Sequence, residues 1–253
     1  MPIIIIIAVV AVVAALALTK KDEEEPNPDQ LAEELLEVTN NTLIAKTTGD
    51  FAGIDMRPSP NKGSRGSTKV TTLVWHYTAG AGAQGAISWL CNPEAKASAH
   101  FVVGRDGKIT QLVPLSDAAW HCGGSSVTNA QSIGVELVNP GIVTQDSDGN
   151  WLLPNGSKWT PDETPVQATL RYPSGKVITG YWVPYTAAQK AGIIALKAML
   201  AGSSYADCIN DQCGHEDVDP TRKSDPGPLF DWDMVSTPQQ RKRHATTVQG
   251  LVG

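Results

Sequence analysis

Cysteine is scarce in this 253-residue chain, with only Cys91, Cys122, Cys208 and Cys213. That is too few for a disulfide scaffold, and none has the paired CxxC spacing of a structural zinc site. Cys208 and Cys213 are spaced to close a short loop in an exported protein, although spacing alone does not favour that pairing. Long basic runs are also missing. Twenty Lys and Arg stand against 26 Asp and Glu, for a formal charge of -6, which excludes nucleic acid as a main partner. There is no internal repeat, and no low-complexity tract apart from an N-terminal apolar run. With 41% apolar residues, the composition points to one catalytic-sized domain with an N-terminal extension.

Residues 2–18 are all apolar and include five isoleucines at positions 3–7, a length near the lower limit for a membrane-spanning helix. Nothing basic precedes the run, and Ala15-Leu16-Ala17 matches a cleavage site weakly. Residues 1–21 therefore read as an uncleaved, anchor-like apolar helix. Packing of that run within a larger assembly is the competing reading. Lys20 and Lys21 follow it, and by the positive-inside tendency they would keep the remaining chain in the cytoplasm, so the topology stays open. Residues 22–58 form a spacer. Glu25-Pro26-Asn27-Pro28 breaks any continuing helix, and a short helix with Leu31, Leu35 and Leu36 on one side is expected over 30–38.

A Pro-, Gly- and Ser-rich stretch at 57–67 sets the start of the main domain, taken as 59–235, with a tail over 236–253. Residues 70–75 read as a strand ending at His76, and 86–90 as a short helix stopped before Pro93. Strands over 100–103 and 108–113 flank Arg105-Asp106-Gly107, an Asp-Gly hairpin signal. Residues 132–138 are another strand. Residues 140–184 read as a loop-rich insertion carrying Trp151, Trp159, Tyr172, Tyr181 and Trp182, aromatics that either line a sugar or peptide cleft or cap the core. Thr186-Ala-Ala-Gln189 matches a capping box ahead of a helix over 187–200 with Ile193, Leu196 and Leu200 on one side. The expected fold is α/β: a mixed central β-sheet flanked by helices, with a metal site in a surface cleft.

Three groups of residues carry chemistry. His76 lies at the end of an apolar strand before a Gly-rich loop; alone, such a histidine is more often packed than ligating. Gly214-His215 and Asp225-Pro226-Gly227-Pro228 put an imidazole and a carboxylate on irregular chain where both can converge, although the segment alone reads better as a Pro-Gly loop with solvated charges. Two His and one Asp leave a fourth zinc position open for water, as hydrolytic sites require. Glu136 sits in a strongly apolar strand. It is a general base if it faces a polar cleft, while an exposed edge position fits the pattern equally well.

Taken in order, Leu73-Val-Trp-His76-Tyr-Thr78, Ser98-Ala-His100-Phe101 with Arg105-Asp-Gly107, Ala119-Trp-His121-Cys-Gly123, Ser132-Ile-Gly-Val-Glu136-Leu137, and Gly214-His215 through Pro228 resemble one family. It is the N-acetylmuramoyl-L-alanine amidases of the amidase-2 type, the superfamily of AmpD, T7-type phage lysozymes and peptidoglycan recognition proteins. The resemblance covers about residues 59–232 and implies that His76, His215 and Asp225 bind Zn²⁺, that Glu136 activates the water, and that Lys223 stabilises the oxyanion. Asp225, where many relatives have Cys, looks more like the AmpD branch and still completes a zinc site. Tyr77, His100 and His121 are read as cleft-wall or supporting residues; His244 matches nothing.

The resemblance further implies a zinc amidase acting on bacterial peptidoglycan, and the N-terminal apolar run adds the expectation of a place at the cell envelope, membrane-anchored or exported. It leaves open a bacterial or phage owner and a lytic (endolysin), recycling or cell-penetration role. The alternatives are a peptidoglycan-binding module without turnover and a phage-particle or secretion-machine component that retains the fold. Zinc content and release of free muramic-acid ends separate them.

Overall fold

The computed structural model describes residues 54–123 and 126–240. The apolar run, the helix expected over 30–38 and His244 lie outside the described residues. Among the described residues, no helix is long and apolar enough to cross a membrane.

The central sheet has six strands: β1 (Asp55–Met56), β3 (Thr72–Tyr77), β4 (Phe101–Val103), β5 (Ile109–Gln111), β7 (Ser132–Leu137) and β13 (Gln212–Gly214), in the order β1-β5-β4-β7-β3-β13. It is mixed as expected: β4 and β5 are antiparallel, and the other neighbouring pairs are parallel. A two-stranded ribbon, β2 (Lys62–Ser64) with β6 (Asp117–Ala119), stands apart.

Side-chain alternation on β7 explains how one strand serves both a core and a site. Ile133, Val135 and Leu137 join Leu73 and Trp75 against Ile193, Leu196 and Leu200 of helix α2 (Ala187–Gly202). Ser132, Gly134 and Glu136 therefore face the other way. On that second face, helix α1 (Ala83–Leu90) packs Ala83, Ile87 and Leu90 over Val102, Leu112 and Ala119. Because β7 lies between β4 and β3, Glu136 is on a central strand, and the edge-strand reading does not hold.

The Asp-Gly turn between β4 and β5 forms, with Gly107 at φ +81°. It presses so closely on α2 that a Cβ on Gly192 would lie 2.4 Å from the Gly107 carbonyl oxygen. Only half of the expected capping box is made. Thr186 Oγ1 accepts from the Gln189 amide N–H at 3.0 Å, but the Gln189 side chain does not return the bond. Its Nε2 donates instead to the carbonyls of Val103 and Val138 at 3.0 and 3.1 Å. Tying α2 to two strand ends satisfies buried backbone acceptors that a solvent-facing cap would leave open.

Residues 140–184 are not loop-rich. They build a second, antiparallel sheet from β8 (Ile142–Gln145), β9 (Trp151–Leu152), β10 (Lys158–Trp159), β11 (Val166–Arg171) and β12 (Val177–Trp182), in the order β10-β9-β8-β12-β11. Its hairpin turns place Gly149, Gly156 and Gly175 at positive φ. Short, half-exposed strands show weak apolar alternation, which is why the pattern reads as loop. The cysteine loop does not form either. Cys208 is a buried free thiol in the α2 cluster, whereas Cys213 packs in a separate cluster with Val74 and Cys122.

Candidate active site

Parallel pairing puts His76 of β3 and Glu136 of β7 in direct register, on the face away from α2. β13 pairs on the other side of β3 and delivers His215 at the start of a single helical turn, α3 (His215–Val218). Asp225 returns on the following loop, whose carbonyl accepts from the Glu216 amide at 3.0 Å. The result is a tight triangle: His76 Nδ1 lies 2.9 Å from His215 Nδ1, and each lies 3.0 Å from Asp225 Oδ2. All three residues are buried.

Hydrogen bonding behind the triangle settles the His76 tautomer. Ser132 Oγ lies 2.7 Å from the Thr128 carbonyl, which can only accept, so the serine hydroxyl donates to it. His121 Nε2, 3.1 Å from Ser132 Oγ, therefore donates to the serine oxygen. Neutral His121 then accepts at Nδ1 from His76 Nε2, 3.0 Å away. His76 Nδ1 is left with a bare lone pair aimed at Asp225 and His215. Both rings are held neutral: burial and then His215 bring His76 down to about 4, and burial, then His76 and His100, hold His121 well below its usual range. Burial would raise the Asp225 carboxyl, but its close neighbours His215 and His76 outweigh it and keep the group well below the usual carboxylate range.

With no proton on His76 Nδ1, it and Asp225 Oδ2 stand 3.0 Å apart as two acceptors. Such a contact is repulsive unless a cation takes the lone pairs. Ligands around a tetrahedral zinc ion sit about 3.3 Å apart, close to the edges of this triangle, so the donor set fits zinc in number, type and spacing.

Glu136 is half-buried at the floor of a cleft of about 380 Å³ that also takes in Tyr77, His121, His215, Lys223 and Asp225. Its Oε2 is shielded from solvent without a hydrogen-bond partner. Burial first, then the Asp225 charge, push its carboxyl up to about 8 against the pull of Lys223. Tyr77 Oη meets Ser224 Oγ at 2.7 Å, and burial raises its phenol. His100 does not line the cleft. It is fully buried, accepts from the Gly134 amide at 3.0 Å and lies 2.7 Å from Arg65, one ring behind His121. Gly134 is needed where it stands, since a Cβ there would lie 2.3 Å from the His121 ring.

Several supporting residues were not legible as such in the sequence. Glu216, next to His215, carries no sequence signal that sets it apart from an ordinary surface charge. It is fully buried, with Oε2 accepting from the Gly227 amide at 3.2 Å, so it ties down the loop that carries Asp225. The aromatics of residues 140–184 do not line the cleft. Tyr172 instead supports it from below, its hydroxyl donating to the Lys223 carbonyl at 2.6 Å.

Two imidazoles and a carboxylate beside an unsatisfied acid make a donor set that could hold a metal ion such as zinc. The profile of the family described as N-acetylmuramoyl-L-alanine amidase (Amidase_2) matches residues 66–228, and the chain belongs to that family. It is similar to the 1,6-anhydro-N-acetylmuramyl-L-alanine amidase AmpD of Escherichia coli K12, 31% identical over 142 residues, covering 54% of this chain and 55% of the relative. It is also similar to the N-acetylmuramoyl-L-alanine amidase AmiD of the same strain, 29% identical over 180 residues, covering 66% and 52%. The chain thus spans about half the length of the curated relatives it matches. A crystal structure of a selenomethionine AmpD derivative superposes with a TM-score of 0.51 at 26% identity, covering 74% of this chain and 94% of that one.

Proposed function

We propose that this chain is a zinc-dependent amidase that hydrolyses the bond between N-acetylmuramic acid and L-alanine in bacterial peptidoglycan. The observation that carries the reading is the triangle of His76, His215 and Asp225, its lone pairs converging beside Glu136. Family membership and the amidase names of the relatives support the choice of bond.

His76 and His215 would hold the ion through Nδ1 and Asp225 through Oδ2; a zinc ion bound there supplies Lewis acidity, lowering the pKa of water and polarising a carbonyl. Glu136, whose carboxyl a neighbouring cation would draw down from its metal-free value, takes a proton from the attacking water at its carboxylate and passes it to the departing alanine nitrogen. A C–O bond forms as the amide C–N bond breaks. Lys223, whose charge is felt at both Glu136 and His76, offsets the negative charge developing on the carbonyl oxygen. His121 fixes the His76 ring through Nε2. The apolar run at residues 2–18 supports a setting at the cell envelope, anchored or exported.

The test is a digest of purified peptidoglycan with the full chain, with and without a zinc chelator, read by mass spectrometry. Chelator-sensitive release of intact stem peptides from glycan strands is expected. Zinc-loaded protein that binds murein and releases nothing would replace the amidase with a binding module.

A further inference from the structure

The second sheet adds no side chain to the triangle of His76, His215 and Asp225, yet its buried face lies against the loop that carries Lys223 and Asp225. Ala168, Leu170, Tyr172 and Trp182 form one cluster, against which Tyr77 and Leu229 pack. A Cβ on Gly227 would lie 3.1 Å from the Trp182 ring. Polar contacts with the loop come from the tight turn between β11 and β12. There the Tyr172 amide donates to the Lys176 carbonyl at 2.9 Å, and Gly175 stands at φ +85°. The two side chains flanking the turn leave it together, with Lys176 Nζ 4.7 Å from the centre of the Tyr172 ring.

Three carbonyls of the loop take their donors from this hairpin. Tyr172 Oη donates to Lys223 at 2.6 Å, and Lys176 Nζ donates to Thr221 at 3.0 Å and to Pro220 at 3.4 Å. The Lys223 amide itself donates to the Asp219 carbonyl at 2.9 Å, so both backbone groups of Lys223 are held. A lysine ammonium rides on a flexible four-carbon stem, and where its Cα stands sets where the charge can reach. The Tyr172 ring fills its cluster with or without a hydroxyl, so the polar ends of Tyr172 and Lys176 serve the loop rather than the core.

We propose that Tyr172 and Lys176 are positioning residues, through which the second sheet holds loop 219–223 so that Lys223 reaches the carbonyl oxygen under attack. This rests on the reading that Lys223 offsets charge on that oxygen, and it gives the sheet a part in turnover without contact with substrate.

Steady-state hydrolysis of soluble peptidoglycan fragments by the zinc-loaded full chain, together with amide hydrogen exchange of the same protein, tests it. Tyr172→Phe keeps the ring and removes only the donor. It is expected to lower kcat about tenfold, with KM and zinc affinity within about twofold of wild type. Exchange at the Lys223 amide should quicken by at least about fivefold. Lys176→Met leaves the buried ring untouched and should shift kcat and exchange in the same direction by less. In a Lys223→Ala background, Tyr172→Phe should lower kcat no further, because the two residues act as one. A Tyr172→Phe kcat within about twofold of wild type, an undiminished loss in the Lys223→Ala background, or an equal fall in zinc affinity overturns the proposal. A wild-type chain that cleaves no amide would instead sink the amidase reading, and faster Lys223 exchange in Tyr172→Phe would then leave the anchoring of the loop standing.

Discussion

Replacing Glu136 by Gln should lower activity and raise stability, a combination that a purely structural carboxylate would not give. The side chain keeps its size but can no longer accept a proton, so turnover should fall by about 10²- to 10⁴-fold. The stability effect follows from the raised carboxyl. An exposed glutamate loses its proton near 4.5, while folded Glu136 holds its own up to about 8. The unfolded chain thus binds fewer protons than the folded one between these values, and folding is progressively disfavoured as pH climbs from 4.5 to 8.

At pH 7 the full shift corresponds to at most about 3 kcal/mol. Because part of the residue meets cleft water, about 1–2 kcal/mol is the expected gain for the glutamine variant. In a domain of this size that is roughly 3–6 °C in Tm. Thermal unfolding of metal-free wild type and variant should show the gain at pH 8 and its disappearance towards pH 4.5. A Tm difference independent of pH, or peptidoglycan turnover within tenfold of wild type, would refute the reasoning.

His121→Ala should leave the fold intact and weaken zinc binding by about 10- to 100-fold, measured by chelator competition, because the His76 ring loses the acceptor that fixes its tautomer; unchanged affinity would make His121 a packing residue only. Gly192→Ala should destabilise by about 1–3 kcal/mol, since the backbone clash with Gly107 outweighs the roughly 1 kcal/mol helix-propensity gain of alanine. The Gly192→Ala protein that folds should keep its zinc stoichiometry, and a raised Tm would show that the turn gives way freely.

The site was more legible than its support. Residue type made His76, Glu136, His215 and Asp225 candidates, with packed, solvated or exposed readings as good or better for each alone; the resemblance carried by five ordered motifs is what chose them. Pairing then placed Glu136 on a central strand beside His76, a relation that no local pattern carries. The second sheet escaped because its strands are short and half-wet, and Glu216 because a charged residue at a helix start reads as solvated until tertiary packing buries it.

By itself the sequence determined the α/β class, the helix at 187–200, the Asp-Gly hairpin and the set of residues able to bind a metal, since periodicity, turn chemistry and ligand type are local properties. Only the tertiary structure decided which lone pairs meet, which tautomer His76 holds and which tryptophans face the cleft. Those are relations among segments far apart in the chain, fixed by strand register and by the hydrogen-bond chain from His76 through His121 and Ser132 to the Thr128 carbonyl.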